Sequence, residues 1–276
     1  MLEFTILSEN RTEHLDCKGE FGLSIAIKYN ENHILFDLGF SDIYLENAKA
    51  LGIDVSKADA VVFSHGHNDH TEGMRSFVRE NEKAKVYVHK NAFVKTYGME
   101  DGVLDEEPSG ISWEKEEFID RLVLSEGHYE IFKGAHVIGD IPKVKEYAPA
   151  EYFFSIDEEG NRILDDMSHE QILVLEEEEG LYVFSGCSHT GIVSIIEYVK
   201  ELFPGKDIAG LIAGMHLYPA TAKLREKVCK RISDENIPLV VPVHCTGMLA
   251  ILMLREMMGE KCRPMCVGDS FKNYEL

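Results

Sequence analysis

No stretch of the 276 residues approaches the roughly 18 consecutive apolar residues that a membrane-crossing helix requires, so no membrane partner is expected. Basic residues are scarce as well: lysine and arginine total 28 against 49 aspartates and glutamates, a formal charge of −21. That balance excludes a broad basic surface, and with it the counterion-driven grip that nucleic-acid binding needs. The opening Met1-Leu2-Glu3-Phe4-Thr5-Ile6-Leu7 has no basic start and no long apolar run, and no small-residue cleavage site follows. A secretory signal is therefore not predicted, and the expected address is the cytoplasm. Six cysteines in a chain of this size do not make a disulfide framework. Cys262 and Cys266 stand four apart with no second pair, and both are expected to be buried thiols.

What is present is ordinary globular composition, 45% hydrophobic and 28% charged, in a chain long enough to bury a substantial core. Short β-rich runs at Phe4 to Leu7, Leu23 to Tyr29 and His33 to Asp37 predict an N-terminal meander, with Asn30-Glu31-Asn32 as a turn. A helix follows, capped by Ser41 or Asp42, with an apolar stripe of Ile43, Leu45, Ala48 and Leu51 that ends at Gly52. Ala60 to Ser64 is apolar without alternation, the pattern of a strand covered on both faces. Helical spacing over Gly73 to Asn81 and a strand over Lys85 to His89 come next. From Thr96 to Ser125 periodicity fades among Gly98, Gly102, Pro108 and Gly110. The stretch reads as an insertion with structure of its own, placed to overhang a pocket through Trp113 or to run over the surface. Farther on, strands at Gln171 to Leu175 and Leu181 to Phe184 enclose an acidic hairpin tip. Helices at Ile192 to Phe203, Ala222 to Ile232 and Met248 to Met258 then alternate with strands at Ile208 to Ala213 and Leu239 to Val243. That alternation predicts a layered α/β body.

The densest chemistry is His65-Gly66-His67-Asn68-Asp69-His70, four potential metal ligands within six residues directly after a buried strand. Neutral imidazoles and a carboxylate suit zinc, iron or manganese. Three more histidines, His189, His216 and His244, each follow a predicted strand end with small residues nearby. In open α/β sheets such ends are where ligands are held, so the three are expected to share a site with the first cluster. His14, His33, His89, His128, His136 and His169 lack that context and are expected to be surface or structural.

The His-x-His-x-Asp-His run, Asp37-Leu38-Gly39 at an earlier strand end and the later strand-end histidines resemble the metallo-β-lactamase superfamily. Gly-Cys-Ser-His-Thr-Gly-Ile, Gly-Met-His-Leu and His-Cys-Thr-Gly further resemble a branch of metal-dependent hydrolases. That branch also contains dihydropterin-ribofuranosylaminobenzene phosphate synthases. The likeness runs from about Gly22 to the C-terminus and is weakest across 96–125. It implies a single domain over 1–276 with an αββα sandwich and a metal site at the edge of two sheets. Carried over by position, His65, His67 and His189 would hold one divalent ion and Asp69, His70 and His244 a second, zinc first, with iron or manganese as alternatives. Two departures stand out. Cys187 occupies a place where many members carry a bridging aspartate, and Phe21 one where relatives of this branch often carry histidine.

Asp37 reads either as an acceptor that orients a ligating histidine or as a turn former. His216 reads as a general acid or oxyanion contact, and Asp69 as an orienter of the nucleophile besides a ligand. A metal lowers the pKa of bound water toward about 7 and so creates hydroxide at neutral pH. The leading expectation is a hydrolase that uses it on a phosphoester, thioester, lactone or similar bond of a small molecule. A phosphorylated substrate is compatible with the acidic chain, because metal ions invert the local field. Two alternatives stand beside it: a transferase joining a pterin diphosphate to a ribofuranosylaminobenzene phosphate, and a metal-dependent sensing module without turnover.

Overall fold

The computed structural model describes residues 1–100, 103–149, 152–157 and 159–275. Two sheets form its centre. The first has seven strands in the order Ser270–Lys272, Leu2–Ser8, Ser24–Tyr29, Asn32–Phe36, Ala60–Val62, Lys85–His89 and Leu122–Ser125. The second has six, in the order Leu239–Pro242, Ile208–Ala213, Gly180–Ser185, Ile172–Glu177, Ala135–Ile138 and His128–Phe132.

Side-chain alternation explains why the two sheets stack. Phe4, Ile6, Ile25, Phe36 and Val62 of the first face Leu173, Leu175, Phe184, Ile212 and Val241 of the second in one buried cluster. Residues of opposite parity turn outward. Leu35, Val61, Val86 and Val88 meet Tyr44, Ala48, Met74 and Phe77 of helices Ile43–Ala50 and Met74–Glu80. Ile172, Val174, Val183 and Leu211 meet Ile192, Ile195, Ile196, Val199, Val228, Ile232 and Leu254 of helices Ile192–Leu202, Ala222–Asp234 and Met248–Met258. Three apolar interfaces thus make four layers, α over β over β over α, the expected sandwich.

Two expectations need correction. The first helix buries Tyr44, Asn47 and Ala48. Ile43, Leu45 and Leu51 of the expected stripe are only half-buried. Asn47 is tolerated inside because Nδ2 donates to the Leu7 and Lys18 carbonyls and Oδ1 accepts from Lys18 N, each at 2.8 Å. Of the two candidate caps it is the Ser41 hydroxyl that accepts from Ile43 N, at 3.2 Å.

The stretch 96–125 is not one excursion. Leu122–Ser125 is an edge strand of the first sheet, parallel to Lys85–His89. Thr96–Glu100 and Val103–Leu104 instead join Phe153–Ile156 and Arg162–Leu164 in a separate four-stranded sheet, while Gly102 lies outside the described residues. Trp113 does not overhang a pocket. It is buried against Phe63, Phe93 and Phe118, and its indole N–H donates to the Thr71 carbonyl at 3.1 Å. A ring that large finds more apolar surface to cover in the core than at a rim.

Candidate metal centre

The strands Asn32–Phe36 and Ala60–Val62 run parallel, as do Gly180–Ser185, Ile208–Ala213 and Leu239–Pro242. Their carboxyl ends open on one edge of the sandwich, and there the chain sets Asp37, His65, Cys187, His189, His216 and His244. Reaching that point strains the backbone. Asp37, Ser188, His216 and His244 have φ of 59°, 58°, 46° and 48°, left-handed values that cost a non-glycine residue about 1 kcal/mol or more. Half of the eight such residues among those described lie at this one edge. Two glycines let the turns close. A Cβ on Gly66 would sit 2.4 Å from the Ala92 carbonyl oxygen, and one on Gly186 2.0 Å from Ser64 Oγ.

His65, His67 and His189 bring ring nitrogens within 4.8 Å of one another, with His65 Nε2 and His67 Nδ1 3.0 Å apart. Asp69 Oδ2 lies 3.2 Å from His244 Nε2 and 3.6 Å from His70 Nε2. Two donors about 2.0–2.1 Å from a shared tetrahedral ion would themselves be roughly 3.3 Å apart, so these spacings fit metal-ligand sets. All six side chains expected as ligands therefore converge. His67, Asp69, His189 and His244 line a single cleft, and His65 and His70 pack directly behind them, 4.9 Å from the His189 ring and 5.0 Å from the His244 ring.

The hydrogen bonds behind the rings decide which nitrogen faces inward. Ser64 Oγ donates its single proton to Asp37 Oδ2 at 2.7 Å, so it accepts from His65 Nδ1 at 2.9 Å. Asp37 Oδ2 accepts from His70 Nδ1 at 2.7 Å, and Asn10 Oδ1 from His244 Nδ1 at 2.9 Å. In the neutral form of each ring Nε2 then keeps its lone pair toward the cleft, the tautomer that ligation requires. Asp37 thus acts as the orienting acceptor. Against the pull of burial, the carboxylates of Asp69 and Asp37 raise His70 to about 9. Despite its own burial, Asp69 is held well below the usual carboxylate range by His70 and His244. The cationic form of His70 is thereby favoured, and a divalent ion would take the place of its Nε2 proton. Burial pushes His67 down to about 3, and burial with neighbouring imidazoles lowers His65 and His189. Neutral rings beside an ionised carboxylate are the donor state a divalent ion takes up.

Three supporting groups were missed in the sequence. Buried Glu170 accepts from His189 N at 2.6 Å, Thr190 N at 2.7 Å and Thr190 Oγ1 at 2.6 Å, which clamps the His189 turn. Buried Glu9, itself held by Arg11, accepts from His244 N at 3.3 Å. His169, expected to be surface or structural, is buried behind the cluster. Its Nδ1 accepts from Gly66 N at 3.1 Å, so its Nε2 donates to Asp165 at 3.3 Å, and both ring nitrogens are spent on bracing the His65–His67 turn. The available signal was the polar run Asp165-Asp166-Met167-Ser168-His169-Glu170 placed directly before a buried strand.

The cleft has a volume of about 470 Å³. Its floor includes His67, Asp69, Cys187, His189, His216 and His244, and Phe21, Phe40, Phe153 and Tyr218 form its walls with Ser109. Ser109 is thus the contribution of the 96–125 stretch. The His216 ring lies 4.4 Å from that of His189, centre to centre. No lysine or arginine lines the cleft among the described residues.

Relatives agree with this picture. A 31% identical uncharacterized protein of Methanocaldococcus jannaschii aligns over 86% of this chain and 88% of its own length. From the same organism, the 7,8-dihydropterin-6-methyl-4-(beta-D-ribofuranosyl)-aminobenzene-5'-phosphate synthase is 28% identical over 92% of this chain and 90% of its own. Among solved structures, Tm1679, described as a metal-dependent hydrolase of the β-lactamase superfamily, superposes with a TM-score of 0.82 at 28% identity, covering 99% of both chains. A sequence profile of the metallo-beta-lactamase superfamily matches residues 17–205, and with that fold the chain belongs to the metallo-β-lactamase superfamily.

Proposed function

We propose that this protein is a metal-dependent hydrolase of a small-molecule ester, thioester, lactone or phosphoester, with two divalent ions, zinc first. His65, His67 and His189 would hold one ion, and Asp69, His70 and His244 the other. The observation that carries this reading is the set of oriented tautomers: Ser64, Asp37 and Asn10 each spend the outer nitrogen of a cleft histidine. What divalent ions supply in such a place is Lewis acidity, which acidifies water and polarises the bond under attack.

The chain's own groups do the rest. Asp69, ionised and at the cleft, orients the attacking water as well as serving as a ligand. His216 stands beside His189 outside the six ligands and donates a proton to the leaving group. Such a donor contributes about 10²–10⁴-fold to rate. The aromatic walls cover the apolar part of the substrate, and its polar or anionic group turns to the floor, since no lysine or arginine lines the cleft among the described residues.

Elemental analysis of protein purified without added metal, with a panel of generic ester substrates, tests this. Two equivalents in the wild type and a clear loss in His67→Ala and His244→Ala are expected; full metal content in both variants would overturn the assignment. His216→Ala should keep metal content and melting temperature while lowering turnover.

A second reading is the condensation of a pterin diphosphate with a ribofuranosylaminobenzene phosphate. It is favoured by the synthase relative and by four aromatic walls suited to fused rings. Diphosphate released only when both substrates are present would select it over hydrolysis.

A further inference from the structure

Two thiols at the cleft, Cys187 and Cys245, are left unused by the six-ligand scheme, and Cys187 is the one among the histidines. Its sulfur groups within 4.8 Å with ligand atoms of His65 and His70, of His189 and His216, and of His244 and Cys245. It therefore lies near donors of both proposed sets, His65 and His189 on one side and His70 and His244 on the other. Its position is enforced by the fold. Gly186 packs so tightly on Ser64 that no side chain fits between them, and Ser64 is tied to Asp37 by two hydrogen bonds of 2.7 Å. The next residue is thereby delivered against His70.

The contact it makes there is specific. Cys187 Sγ is 3.2 Å from His70 Nε2, the nitrogen turned inward once Nδ1 is given to Asp37. A sulfur about 2.3 Å and a nitrogen about 2.0–2.1 Å from one tetrahedral ion would be roughly 3.5 Å apart, so the pair is spaced as two ligands of a common ion. The neighbouring thiol behaves otherwise. Cys245 Sγ lies 3.7 Å from the Cys187 carbonyl oxygen and accepts from His216 N at 3.3 Å, so two backbone groups hold it in place.

We propose that Cys187 is a metal ligand whose sulfur is shared between the two ion positions, giving a mixed imidazole, carboxylate and thiolate centre. On ligation the S–H bond is exchanged for a metal–sulfur bond, and the proton leaves to solvent. A thiolate at the junction makes the centre softer, which favours zinc or iron(II) over manganese or magnesium. The assignment rests on the two-ion reading above, and its test separates the two.

The test uses cobalt(II), which reports sulfur ligation by a sulfur-to-metal charge-transfer band in the near ultraviolet. Metal-free full-length protein titrated with cobalt(II) should take up two equivalents and show the band. Cys187→Ser should lose the band and bind the second equivalent at least about tenfold more weakly. Cys187→Asp should bind two equivalents without the band, and Cys245→Ser should keep it. Two bound equivalents in the wild type with no band, or a band that survives Cys187→Ser, overturn the Cys187 assignment and leave the two-ion reading intact. No cobalt uptake by the wild type overturns both.

Discussion

The two sheets deliver their site residues in opposite ways. The first places His65, His67, Asp69 and His70 on one continuous turn and short helix, within eight residues of a strand end. The second contributes Cys187, His189, His216 and His244 from three separate strand ends. In the first case local chain geometry gathers the donors, and in the second only the parallel alignment of distant strands does. The supports differ accordingly. Behind the first cluster stands Asp37, one strand away, whereas His189 and His244 depend on Glu170 and Glu9, buried carboxylates that come from other parts of the chain.

This contrast can be broken at defined points. The largest effect on metal binding is expected at Asp37, which orients His70 and fixes Ser64, and through Ser64 the ring of His65. Asp37→Ala should weaken metal binding by about 10–100-fold, measured by competition with a chromophoric chelator. An unchanged affinity would show that the first turn is self-sufficient. Trp113→Ala probes the same side for packing alone. It should cost about 3–5 kcal/mol in denaturant unfolding, with metal content and substrate preference preserved. A changed preference at unchanged stability would restore the ring to a role at the cleft.

On the second sheet's side, Glu170→Gln keeps the shape but leaves the donors of His189 and Thr190 with a neutral acceptor. A loss of about 2–3 kcal/mol is expected, or roughly 5–10 °C in melting temperature. An unaltered melting temperature would mean the His189 turn holds its form unaided. The smallest effect belongs to Asn10, an exposed side chain whose hydrogen bond to His244 water can replace. Asn10→Ala should reduce affinity for the second metal equivalent by less than about tenfold. A larger loss would place His244 under the same strict control as His70.

Much of the architecture was legible because each strand carries its own instruction. Ala60–Val62 and Ile208–Ala213 are apolar on both faces, and helices Ile192–Leu202 and Met248–Met258 follow their sequence patterns closely. The strands His128–Phe132 and Ala135–Ile138 escaped notice, because charged and aromatic residues interrupt the first and the second is only four residues long. The small sheet escaped too. Thr96–Glu100 pairs with Phe153–Ile156 across more than fifty intervening residues, and no local pattern encodes such a partner.

Residue type and spacing alone determined the layered α/β class, the donor-rich turn at His65 to His70 and the strand-end placement of His189, His216 and His244. These depend on side-chain periodicity and on donor chemistry, both local properties. Tertiary structure alone decided that Trp113 belongs to the core, that Phe21, Phe40, Phe153 and Tyr218 wall one cleft, and that Glu9, Asn10, Asp165, His169 and Glu170 brace the cleft histidines and their turns from behind. A buried carboxylate acquires its role from the donors that surround it, and those donors come together only when strands far apart in the chain are laid side by side.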